Sequence, residues 1–105
     1  PVIESALPAE YALGQNYPNP FDRSTAIGFS LPERSALRIS VYDLAGREVR
    51  TLADGEWGPG RHSATLARDG AGGRLDAGVY FVRMNAQSLE SGRSFSSLRK
   101  VAIVK

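Results

Sequence analysis

The segment Asp76-Ala77-Gly78-Val79-Tyr80-Phe81-Val82-Arg83-Met84 decides the fold. Residues 79–84 put aromatic and β-branched side chains on both faces of an extended chain, which is strand composition. Gly78 stands just ahead of it, at a turn position where a side chain is disfavoured. Upstream lies a Gly-rich bend, residues 69–74, and before that His62, Ala64 and Leu66 alternate with Arg61, Ser63 and Thr65. Downstream, a polar hairpin over residues 85–92 leads to a last strand that ends Val101-Ala102-Ile103-Val104-Lys105.

The same period of two extends toward the N-terminus. Ile27, Phe29 and Leu31 alternate with Ala26, Gly28 and Ser30, and Pro32 ends that strand. Leu37, Ile39 and Val41 alternate with Arg38, Ser40 and Tyr42, and Asp43-Leu44-Ala45-Gly46 turns the chain back. In the returning segment, residues 47–52, the apolar Val49 and Leu52 are three apart, which fits a bulge or an edge strand. Residues 54–60 read as a longer loop around Trp57. Residues 11–21, YALGQNYPNPF, are dense in turn formers and read as an ordered loop anchored by Tyr17 and Phe21. Six strands follow from this pattern, with a seventh if part of residues 2–15 pairs. No stretch keeps a helical period beyond one turn. Short connections between antiparallel neighbours imply an all-β sandwich.

Asp76-x-Gly78-x-Tyr80-x-Val82 adds a topological detail. In immunoglobulin-like antiparallel β-sandwiches a Tyr so placed packs its ring in the core and bonds an upstream backbone group through its hydroxyl. The expected fold is therefore all-β, an immunoglobulin-like sandwich of about seven strands. Residues 1–12 read as a linker end or first edge strand, and residues 13–105 as the domain. The start Pro1-Val2-Ile3, without Met, reads as a piece of a longer precursor.

Composition narrows the function classes. At 105 residues the chain has the length of one domain, too short for a core plus a deep catalytic cleft. Net charge is +2 with no run of Lys/Arg among aromatics, which argues against nucleic acid as a partner. No apolar run approaches the roughly 20 residues of a membrane-spanning helix, so membrane insertion is not expected. The absence of cysteine removes thiolate chemistry. One histidine, His62, cannot make a usual zinc site. The acids sit on turns, where they cap their own backbone. Gly70-Ala71-Gly72-Gly73 lacks the following helix that a phosphate loop needs. Neither a cofactor nor catalytic residues are expected, and the chain does not read as an enzyme. Trp57, the single tryptophan, could stack on a sugar or fold back over the end of the sandwich.

Four segments in order, QNYPNPFDRSTAIGFSLPE, RISVYDLAGREVRTL, GRLDAGVYFVRM and RKVAIVK, carry a resemblance over residues 13–105. They resemble the C-terminal sorting domain of the type IX (Por) secretion system, in its type A form. The stretch ending in Gly78-Val79-Tyr80-Phe81 is shared with a related fold, the immunoglobulin-like domain of flagellar hook-capping proteins. The resemblance implies a module at the C-terminus of a larger exported protein of the Bacteroidetes kind. That protein passes through the periplasm to the cell surface or medium. Its partners would be the outer-membrane translocon, a shuttle protein, a sortase and the covalently linked N-terminal passenger. Matched residue by residue, the family's sorting elements fall on Gly78 and Tyr80, and on Lys100, Val101, Ile103, Val104 and Lys105.

Two departures from the family stand out. Phe21 is followed by Asp22-Arg23 where many members read Asn-Pro, which implies a less rigid loop. Leu66-Ala67-Arg68-Asp69-Gly70 lies where many read Trp-Asp-Gly, which implies a lost packing residue. Neither is expected to touch the C-terminal end. A terminal edge strand would offer unpaired N–H and C=O groups to a receptor strand, with lysines to steer it. A carbohydrate- or surface-binding module, resting on Trp57, and a plain spacer are the other readings.

Overall fold

The computed structural model describes residues 8–70 and 73–104. Seven strands run in the order β1 (Ala12–Leu13), β2 (Ser24–Leu31), β3 (Ser35–Tyr42), β4 (Glu48–Trp57), β5 (Gly60–Ala67), β6 (Gly78–Ser88) and β7 (Ser94–Ile103). They form two antiparallel sheets, β1-β2-β5 and β4-β3-β6-β7. The expected immunoglobulin-like sandwich is the fold observed, and the seventh strand is the short β1.

Alternation builds the core. Ile27, Phe29 and Leu31 of β2 face Leu37, Ile39 and Val41 of β3 and Val82 and Met84 of β6, all nearly excluded from water. Each large side chain so buried contributes roughly 1.5–3 kcal/mol. β3 and β6 are the two inner strands of the four-stranded sheet, and their long register fixes which residues point inward.

Both readings of the Val49/Leu52 spacing hold. β4 is an edge strand, and its pairing with β3 slips at two places. Ile39 and Ser40 face Ala53 and Thr51, so Leu52 is the extra residue; Val41 and Tyr42 face Arg50 and Glu48, so Val49 is. The bulges let two apolar residues three apart both pack against the core.

Three local expectations are corrected. Residues 54–57 are strand, not loop: Asp54, Gly55, Glu56 and Trp57 pair with Arg38, Leu37, Ala36 and Ser35. An edge strand tolerates such polar residues because one side faces water. Only Gly58 and Pro59 separate β4 from β5, which lies in the other sheet. β6 likewise continues to Ser88, so the polar hairpin shrinks to residues 89–93.

The third correction concerns the N-terminal loop, residues 14–23. Phe21 anchors it at 2 % exposure, but Tyr17 is 82 % exposed. The second anchor is Asn16, 3 % exposed, which donates to the Pro18 carbonyl and the Thr25 hydroxyl at 3.1 Å each. Thr25 also donates to Pro18, at 2.7 Å. The Tyr17–Pro18 and Asn19–Pro20 peptide bonds are cis.

Candidate functional site

Register brings the predicted residues of β6 and β7 together in pairs. Tyr80 lies opposite Val101 and Gly78 opposite Ile103. Tyr80 is 7 % exposed, and its hydroxyl donates to the Asp76 carbonyl at 2.7 Å. This is the expected tyrosine corner. Burial, and then the nearby charges of Asp76 and Asp43, push the phenol above its ordinary range. Gly78 has φ of 150°, a conformation that side-chain-bearing residues rarely adopt, although nothing would crowd a Cβ there.

The last strand divides into two sets. Val101 and Ile103 point inward and are almost wholly buried. No receptor can reach them while the domain is folded. Lys100 points outward and is exposed, and Val104 is 45 % exposed just past the strand. Lys105 lies outside the described residues.

β7 is an edge strand, as expected, yet its outer edge is not open along residues 100–104. Gln15 Nε2 donates to the Lys100 carbonyl at 2.9 Å. The Ala102 amide donates to Asn19 Oδ1 at 3.1 Å, and its carbonyl accepts from the Phe21 amide at 3.1 Å. The Val104 amide donates to the Phe21 carbonyl at 2.9 Å, completing a short parallel bridge of Phe21 with Ile103. The N-terminal loop thus takes the place that the sequence reading left for a receptor strand. The Gln15 and Asn19 side chains and the Phe21 backbone cover its edge.

Arg68 closes the same corner, and sequence reasoning missed it. The residue is 7 % exposed. Its guanidinium donates to the carbonyls of Leu75 at 2.8 Å, Val104 at 2.9 Å and, more weakly, Asp22 at 3.4 Å. Its own amide and carbonyl bond Arg23 and Leu75. Arg68 therefore fills the space after β5 and does touch the C-terminal end, contrary to the expectation from the Asp69-Gly70 departure. An arginine at a strand end next to an Asp-Gly turn carries no local mark of burial. Its fork of five donors suits several converging carbonyls.

Trp57 is placed elsewhere, at the end of β4. It is half-buried, edge-on to Phe29 with ring centroids 5.5 Å apart and to His62 at 5.2 Å. His62 stacks on Phe29 at 5.3 Å, and its Nε2 lies 2.9 Å from the Gly58 carbonyl. The three rings pack on one another over the β4–β5 turn. None of the other predicted site residues belongs to this cluster.

Three segments far apart in sequence thus converge at one corner of the sandwich: the N-terminal loop, the start of β6 and the end of β7. A family model described as the FlgD Ig-like domain matches residues 15–90. That span runs from the N-terminal loop through β6 and stops short of β7. No curated protein and no solved structure matches the chain.

Proposed function

The chain belongs to the FlgD Ig-like domain family, and on that premise we propose that it is a C-terminal sorting module of the type IX kind. In this reading it directs a larger exported protein across the outer membrane. It does no chemistry itself. The translocon and a shuttle protein recognise it, and a surface sortase then removes it and anchors the passenger that preceded it.

One observation carries the reading. The N-terminal loop, Gly78-Val79-Tyr80-Phe81 and the closing strand, which bear the resemblance, are built into a single corner. A label read in the folded state needs its terminal residues held in one conformation, and here residues 100–104 are held on both sides. Lys100 and Val104 are the parts of that corner left for a receptor.

The test is export of a fluorescent protein that carries a signal peptide and this chain, in a host with an active type IX system. Deleting residues 100–105 would remove core side chains, so the informative variant is Lys100→Asp with Val104→Asp, checked for an unchanged melting temperature. The expected result is surface or medium fluorescence with the native chain and periplasmic retention with the folded variant. Retention of both, in cells that export their own cargo, overturns the proposal.

A further inference from the structure

β6 is apolar on both faces. Tyr80, Val82 and Met84 build the core, while Val79 and Phe81 point the other way, onto the outer face of the four-stranded sheet. Register sets Tyr42 and Lys100 on either side of Phe81, and Leu98 beside Arg83. A sheet with one face in water normally alternates apolar-in and polar-out. The far end of this face obeys that rule: Arg38, Asn85 and Ser96 line up across it, and Arg38 is bonded to Glu48 and Asp54. The near end breaks it. Leu44, 72 % exposed, and Leu98, 56 % exposed, join Tyr42 and Phe81 around a groove of about 370 Å³.

We propose that this groove docks an acidic protein segment carrying an aliphatic or aromatic anchor. The charges select that occupant. Arg83 and Lys100 border the apolar rows, and among the described residues neither meets a carboxylate within ion-pair distance, whereas Arg38 and Arg47 do. Asp43, the carboxylate that lines the groove, is already occupied by the Arg47 guanidinium and by the amides of Ala45 and Arg47. A partner that supplies carboxylates to Arg83 and Lys100 while burying Phe81 and Leu98 gains from both terms. A second copy of the chain would bring the same two cations to the joint and set like charges together. This surface shares Lys100 with the corner at residues 100–104 but otherwise uses other side chains, Phe81, Arg83 and Leu98, and its test does not depend on export.

The experiment titrates the isotopically labelled 105-residue chain with the synthetic peptide Glu-Glu-Leu-Phe-Glu-Glu, following amide chemical shifts. Saturable shifts confined to Tyr42, Phe81, Arg83, Leu98 and Lys100 are expected. Leu98→Ser alone, and Arg83→Glu with Lys100→Glu, should each weaken binding about tenfold or more. Both change exposed side chains, and an unchanged melting temperature verifies the fold. Replacing the peptide's glutamates by glutamine should weaken binding similarly. Absent or scattered shifts, equal binding of the glutamine peptide, binding only to phosphatidylglycerol vesicles, or a dimer in sedimentation that covers Leu98 would each overturn the proposal. Because the sorting reading is tested by export, the two can fail separately.

Discussion

The Tyr80 hydroxyl and the Asp76 carbonyl meet at 2.7 Å, which ties the start of β6 to the chain that leads into it. Tyr80→Phe keeps the ring and deletes the bond, leaving a carbonyl without its donor. The expected loss is ~1 kcal/mol, or roughly 4–8 °C in melting temperature for a domain of this size. Urea unfolding should show a lower midpoint at unchanged slope. A midpoint equal to that of the native chain would remove the corner's contribution.

Gly78 and Gly28 form a matched pair. Gly78 has φ of 150°, and the strain of any side chain there is a backbone matter. Gly78→Ala should cost about 1–3 kcal/mol. Gly28 is an exposed strand residue without a positive φ, and a Cβ there would meet the His62 carbonyl only at 3.9 Å. Gly28→Ala should be neutral or slightly stabilising, because it restricts the unfolded chain. Equal losses at both positions would show that the conformation of Gly78 is not what matters.

Arg68→Met should cost about 3 kcal/mol, the top of the range given for Gly78→Ala, because the Leu75 and Val104 carbonyls lose their donor together. Hydrogen exchange locates the effect. The amides of Ala102 and Val104 should exchange faster relative to global unfolding, while those of Ile39 and Val82 should not. Uniform acceleration would mean that Arg68 stabilises the whole sandwich and not this corner.

Acid should act on several carboxylates, Asp43 and Glu48 among them, and on Glu33 at the opposite end of the molecule from Arg68. Hydrogen bonds from Ser88 and Ser91, and then the Arg93 charge, hold the Glu33 carboxyl below the usual carboxylate range. A depressed folded-state value means that the contribution is present above the unfolded value and is lost as pH falls through the folded one. Melting temperature should therefore drop as pH is lowered below the ordinary glutamate range. Glu33→Gln should show a shallower drop over the same interval, and parallel curves would exclude Glu33 as a source.

The parts of this fold that were legible in sequence are those set by neighbours two residues apart. Ile27/Phe29/Leu31 and Leu37/Ile39/Val41 announce their strands because one face of each is buried. Tyr80 was legible because a buried phenol needs a partner that the local spacing supplies. Asp54-Gly55-Glu56 misled because turn-forming residues are also tolerated on an edge, and only the pairing with β3 distinguishes the two. Asn16 and Arg68 were illegible for other reasons. Asn16 is held inside its own irregular loop, by Pro18 and Thr25, where no periodic pattern marks burial; Arg68 is buried by segments distant in the chain and meets Val104 across 36 positions. The closure of β7 by residues 15–21 is the extreme case, with the Gln15–Lys100 bond spanning 85 positions.

That closure bears on how the two ends of the domain respond to proteases. A terminal strand ordinarily frays by itself and exposes a few residues at a time. Here β7 cannot peel away at residues 100–104 without releasing Gln15, Asn19 and Phe21, and the loop cannot lift without uncovering β7. A protease approaching β7 from its C-terminal side would therefore meet a barrier at Val104. Cleavage beyond it requires both ends to open in one event.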